Sequence, residues 1–199
     1  MPKEKWNQQF RENQYTYGKT ANIFIQEKSQ LFSPQSKLAC FAEGEGRNAV
    51  FLAKAGHQVT AYDVSAVGLK HAQMLAEEND VTIETIEADL TDFVVAEEKY
   101  DGAIMVFGHV EKEKQENFIK NIINSVKHGG YVIFEVYSKE QLKYNTGGPG
   151  NEKFLYEPMD VFKWIEPYNC IHFYYGEANR EEGYRHTGTG HVIQVAIQK

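Results

Sequence analysis

The chain is poor in the features that staple, anchor or electrostatically steer a protein. Only two of its 199 residues are cysteine, Cys40 and Cys170, too few for a disulfide framework or a cysteine-ligated metal cluster. Both begin or sit within apolar stretches and read as core residues. No apolar run reaches the roughly 18 residues of a membrane-crossing helix. The opening stretch MPKEKWNQQFRENQ is polar and lacks the apolar centre of a secretory signal. A cytoplasmic protein without membrane attachment is therefore expected. Lysine and arginine form no cluster and the formal net charge is −7, so nucleic acid is not an expected partner. The length suits one domain over residues 1–199.

What is present is an alternation of short apolar strands and amphipathic helices. KLACF (37–41), QVTAYD (58–63), VTIETIEAD (81–89), YDGAIMVFGHV (100–110) and YVIFEVY (131–137) read as strands. Between them, RNAVFLAKA (47–55), a segment after the N-cap candidate Ser65, and residues 112–127 read as helices. The last has the clearest stripe: Phe118, Ile119, Ile122, Ile123 and Val126. CIHFYYGE (170–177) and HVIQVAIQ (191–198) read as a final antiparallel pair. Residues 3–14 read as a helix with Trp6 and Phe10 on one face, and NTGGPGNEKF (145–154) as a loop. The pattern implies an α/β fold: a doubly wound, mostly parallel sheet with helices on both faces. Ligands of such sheets sit at the carboxyl ends of the strands.

Three of those strand ends carry polar turns. The first, AEGEGRN (42–48), holds Gly44 and Gly46 between a strand and a helix. It fits a plain tight turn or a close backbone approach to a ligand. Asp63 ends the second strand, where a carboxylate can accept from both hydroxyls of a ribose or serve as a turn residue beside Ser65. Asp89 ends the third, followed by Leu90; the pair offers an acceptor for an exocyclic amine and an apolar wall for a base, or an N-cap. Taken together the three turns describe a nucleoside pocket.

LACFAEGEGRNAVFLAKAGHQVTAYDVS (38–65) resembles the first two motifs of the class I S-adenosylmethionine-dependent methyltransferases. Within them the chain is most similar to the small bacterial TehB-like and thiopurine-methyltransferase-like branch, to which YTYGKTAN and NTGGPG also correspond. The resemblance implies a seven-stranded Rossmann-like methyltransferase fold. It implies S-adenosylmethionine as cofactor and a small-molecule methyl acceptor: a chalcogen oxyanion such as tellurite, a thiol or a metabolite. It implies a monomer or homodimer. Carried over by position, the cofactor-binding set is Glu43, Gly44, Gly46, Arg47, Asn48, Asp63, Val64, Asp89, Leu90 and Phe107. The family pattern, acidic-x-Gly-x-Gly-x-Gly, departs at Cys40, where the carboxylate is replaced, and at Ala42, where the first glycine is; Glu43 is positioned to compensate for the lost carboxylate.

Three rivals stand beside this. A nicotinamide-dependent oxidoreductase needs a third glycine, where Asn48 and Ala49 stand, and two glutamates inside the turn would repel a pyrophosphate. A non-catalytic nucleotide-binding module is compatible with every residue above. A base-flipping methyltransferase is disfavoured because VFGHV (106–110) has no proline motif. For chemistry, His109 follows the fourth strand as a candidate base or positioning group. Tyr17 and Tyr15 can cover a sulfonium by cation–π contact. Residues 1–25 are expected to act as an N-terminal lid, together with the loop 145–154. His186 and His191 lack a third ligand, so no metal is expected, and Arg180 and Arg185 read as solvated.

Overall fold

The computed structural model describes residues 3–12, 14–183 and 186–199, without the side chain of His186. Seven strands form one sheet: β1 (Lys37–Phe41), β2 (Gln58–Asp63), β3 (Glu84–Glu87), β4 (Tyr100–Val106), β5 (Val126–Tyr137), β6 (Asn169–Glu182) and β7 (His186–Gln198). Their order is β3-β2-β1-β4-β5-β7-β6. β1 to β5 pair in parallel, whereas β7 runs antiparallel to both β5 and β6. The doubly wound fold with a C-terminal antiparallel pair is as expected. The chain winds outward from β1 through β2 to β3 and then returns to the other side of β1 with β4. The switch point therefore lies at the carboxyl ends of β1 and β4.

Strict alternation along the central strands sends side chains into two cores. Ala39, Phe41, Ala103, Met105, Val132 and Phe134 pack with α5 (Lys112–Asn124) and α6 (Pro158–Ile165). Leu38, Cys40, Ile104 and Ile133 pack with α2 (Ile23–Lys28), α3 (Arg47–Lys54) and α4 (Ala66–Glu78). Both faces are covered, which explains why these strands read as near-continuous apolar runs. α1 (Lys3–Gln9) lies near α4 at the strand ends.

Several boundaries differ from the sequence reading. β3 is only Glu84–Glu87, and Asp89 lies beyond it. β4 stops at Val106, because Phe107 adopts φ 54°, a left-handed conformation that no strand continues through. Val126 belongs to β5, not to the preceding helix, and the His128–Gly130 stretch runs within that strand. β6 and β7 are a long hairpin rather than two short strands. α6 has no counterpart in the sequence reading: Pro158 at its first turn starts it, and Val161 and Ile165 are its buried face. Cys170, expected in the core, is exposed, while Cys40 is fully buried.

Two positions of the first turn, Ala42 and Gly46, make opposite use of φ > 0. Gly46 has φ 88°, and a Cβ there would lie 2.5 Å from Ala72 Cβ of α4. Ala42, where the family pattern has glycine, has φ 51°, a conformation that glycine adopts without steric cost. Gly46→Ala should therefore destabilise the fold by about 2–4 kcal/mol, whereas Ala42→Gly should be neutral or mildly stabilising. Urea denaturation of the two variants against the parent checks both signs.

Candidate active site

At the switch point a cavity opens between the turns that follow β1 to β4 and the N-terminal segment. Glu43, Gly44, Arg47, Asn48, Asp63, Val64, Asp89, Leu90, Phe107, His109 and Tyr17 all line it. Gly46 does not: it is turned onto Ala72 and serves the close approach of α3 and α4. Gly44 is the glycine of the turn that faces the cavity. A Cβ on it would meet the Phe10 ring at 3.2 Å, and one on Gly68 would meet the same ring at 2.9 Å. Phe10 thus rests on a platform made by two missing side chains.

The two glutamates of the turn have separate tasks. Glu43 Oε1 accepts from the backbone N–H of Asn48 and of Ala49, each at 2.8 Å. Those are the amides an N-cap side chain would take, and Gly46 at the N-cap position of α3 has none to offer. Glu43 is therefore the cap of α3, supplied from three residues upstream. Burial pushes its pKa up to about 7 against the pull of those amides, Arg47 and Asn48. Glu45 reaches the other way. Its carboxylate accepts from Thr16 N–H at 2.8 Å and pairs with His71 Nδ1 at 2.8 Å, tying the N-terminal segment to α4. Burial raises its pKa, opposed first by His71.

Asp63 is 7% exposed and also holds backbone: Oδ2 accepts from Gly44 N–H and Oδ1 from Ser65 N–H, both at 2.8 Å. Burial lifts its pKa to about 6, against those two amides and that of Val64. It orients the glycine turn and the start of α4, where Ser65 accepts from Gly68 N–H at 3.1 Å. Asp89 accepts from the N–H and the hydroxyl of Thr91 at 3.0 and 2.8 Å.

The N-terminal segment covers the cavity with Trp6, Phe10, Tyr17 and Gly18. Trp6 and Phe10 stack at 5.7 Å, the i, i+4 pair expected from the sequence. Asn7 accepts from the Ser65 hydroxyl at 2.7 Å. The loop 145–154 is elsewhere: Thr146 donates to the Thr189 carbonyl at 2.6 Å, and none of its residues is in the described lining. Arg180 is not solvated but buried, bonded to Glu135. Arg185 and the His186 side chain lie outside the described residues. His191 bonds Ser138 Oγ at 2.8 Å, away from the cavity lining. The role of Glu135 escaped the sequence reading; its only signal was a lone carboxylate inside YVIFEVY.

His109 is half-buried and stacks near Phe107 at 6.5 Å and Tyr137 at 6.0 Å. Burial, aided by the charge of Lys5, pushes its pKa down to about 4. It is neutral throughout the physiological range and a weak base.

Residues 39–130 match the family described as a methyltransferase domain. Over 98 residues, 49% of this chain, the sequence is 31% identical to the uncharacterized methyltransferase YbaJ of Bacillus subtilis; the match spans 38% of that protein. TehB from Haemophilus influenzae superposes with TM-score 0.73 at 15% identity, covering 99% of this chain and 66% of that one. An S-adenosylmethionine-dependent methyltransferase from Anabaena variabilis gives 0.71 at 17% identity, over 98% and 92%. A protein that converts a disulfide bond into a thioacetal group during echinomycin biosynthesis gives 0.76 at 14%, over 100% and 92%. The chain has the fold of the class I methyltransferases.

The raised pKa of Glu43 carries a sign for stability. An acid whose folded pKa lies above its unfolded value contributes stability that is fully present below about pH 4.5 and is lost as pH rises through about 7. Glu43→Gln keeps an oxygen for the two helix amides and removes the ionisation. The variant should lose less stability than the parent between pH 5 and 8, as read by chemical denaturation at a series of pH values.

Proposed function

We propose that the protein transfers a methyl group from S-adenosylmethionine to a small-molecule acceptor. The observation that carries this reading is the capping of α3 by Glu43. A dinucleotide cofactor would lay its pyrophosphate on the free amides of that helix. Here the amides of Asn48 and Ala49 already hold a carboxylate. A phosphate would meet both an occupied helix end and a buried acid. S-adenosylmethionine has no phosphate, and its ammonium and sulfonium are cations suited to a cavity lined by carboxylates and aromatic rings. When bound, it supplies a methyl group already activated on sulfur.

The protein's part is then to bind, orient and exclude water. Asp63 offers its carboxylate to the ribose while keeping the glycine turn in place. Asp89 and Leu90 flank the base, and Glu43, Gly44, Arg47, Asn48, Val64 and Phe107 complete the cofactor contacts. Residues 1–25 act as the lid, held by the bonds of Glu45 and Asn7. A nicotinamide-dependent oxidoreductase and a non-catalytic nucleotide-binding module are the competing readings.

S-adenosylhomocysteine should bind the full chain in titration calorimetry, raising hydrogen-exchange protection in the N-terminal segment, and NAD should not bind. Asp63→Asn should weaken that binding by roughly 1.5–3 kcal/mol, the worth of hydrogen bonds to a charged group. Binding of NAD in preference, or unchanged affinity in the variant, would overturn the respective assignments.

The depressed pKa of His109 makes it a positioning group rather than a general base. His109→Ala should lower turnover by less than about tenfold, well short of the 10²–10⁴ of general acid–base catalysis. The pH–rate profiles of parent and variant should have the same shape between pH 5 and 8. An ionisation near neutrality that disappears in the variant would restore the base role.

A further inference from the structure

One guanidinium, Arg47, stands in the described lining of the cavity. It begins α3, directly after the glycine turn, and is 7% exposed. The other cations nearby are placed elsewhere. Lys114 reaches the Thr91 hydroxyl at 3.1 Å, beside Asp89. Lys5 is exposed on α1, where its charge acts on His109, and burial keeps His109 itself neutral. With the base at Asp89 and the ribose at Asp63, the strand order β3-β2-β1-β4 sends the tail of the cofactor away from β3, toward the turn after β1. That tail ends in an ammonium and a carboxylate. The acids of the turn suit the ammonium, and the cation at the same turn is Arg47.

Arg47 is held in place from behind. Its Nη2 pairs with Glu182 at 2.7 Å and its Nη1 donates to the Tyr17 carbonyl at 3.4 Å. A guanidinium is a rigid plane with five N–H donors, so these two contacts fix the plane and leave donors for a ligand. Glu182 is fixed in turn. It is 6% exposed, Oε1 accepts from Asn22 Nδ2 at 3.0 Å, and Arg180 Nε lies 3.7 Å away. Gly183, which follows β6, abuts the N-terminal segment: a Cβ there would lie 2.5 Å from the Gly18 nitrogen. A cation pre-oriented in this way loses little rotamer freedom when a carboxylate arrives. The carboxylate brings its own ammonium, so the buried charges stay balanced.

We propose that Arg47 holds the carboxylate of the cofactor's methionyl tail, and that Glu182 of the C-terminal hairpin is the positioning residue that aims it. The proposal rests on the methyl-transfer reading. Glu182 lies outside the described lining and acts only through Arg47. The hairpin, distant in sequence from the glycine turn, thereby sets how well the cavity distinguishes a complete amino-acid tail from one without its carboxylate.

The test is titration calorimetry on the full chain with S-adenosylhomocysteine and with its decarboxylated analogue, which lacks only the carboxylate. The unmodified protein should bind the first at least about tenfold more tightly. If neither binds, the methyl-transfer reading fails and this inference with it; if both bind equally, only the carboxylate assignment is overturned. Arg47→Lys keeps the charge and loses the planar fork. It should weaken S-adenosylhomocysteine by at least about tenfold and the analogue by less than about threefold. Equal losses for the two ligands would make Arg47 a structural residue and overturn its assignment. Glu182→Asp keeps the acid's charge and withdraws it by one methylene. It should lower the ratio of the two affinities by about fivefold in the parent and leave that ratio unchanged in the Arg47→Lys background. An unchanged ratio in the parent, or the same fivefold drop in both backgrounds, overturns the positioning role of Glu182.

Discussion

Glu135 is the constraint around which the rest of the molecule is arranged. It sits within β5 with no exposed surface, on the side of the sheet covered by α2 and α3. A carboxylate in that place is costly unless every lone pair is engaged. Arg180 of β6 approaches it through both Nε and Nη2, and Gln194 of β7 and Asn22 each donate at 3.3 Å. Asn22 also donates to Glu182 and takes the Asn48 side-chain oxygen on its own N–H. Glu182 holds Arg47. One buried acid thus recruits the C-terminal hairpin, the start of α2 and the first turn of α3 into a single bonded network.

That network ends in the cavity. Asn48, its outermost member, is one of the residues capped by Glu43, and Arg47 binds the Tyr17 carbonyl. The N-terminal segment, the glycine turn and the hairpin are consequently not independent pieces. Around the same point the backbone is strained: Ala42 and Phe107, non-glycine residues with φ of 51° and 54°, follow the adjacent strands β1 and β4. Such strain persists where surrounding contacts over-determine it. Here the bond from Phe107 N–H to the Glu135 carbonyl, 2.8 Å, is part of what does so.

A doubly wound sheet supplies a cleft but no chemistry of its own, since many reactions share the architecture. What narrows this cleft is the direction of its charges. Carboxylates that would oppose a phosphate are buried around the glycine turn, two of them with pKa values lifted to about 7 and 6. The two buried guanidiniums nearby, Arg47 and Arg180, are paired with Glu182 and Glu135. Rings occupy the remaining wall. Such a lining favours cationic groups over phosphates.

The sequence alone determined the parts whose signal is local. Strand–helix alternation, the apolar stripe of α5, the N-cap at Ser65 and the three polar turns follow from periodicity and turn chemistry, and they locate the switch point without any knowledge of contacts. Only the tertiary structure decided what the charged residues do. Glu43 reads as a cavity residue in sequence, and nothing there shows that its carboxylate also caps a helix. Gly46 reads as part of a ligand turn but packs on Ala72. Arg180 reads as solvated but is buried against Glu135, and Cys170 reads as core but is exposed. The physical reason is that a charge or a glycine has no periodicity to betray its surroundings. Its role is set by partners up to 160 residues away, as in the bond from Asn22 to Glu182, and those partners exist only once the sheet has brought them together.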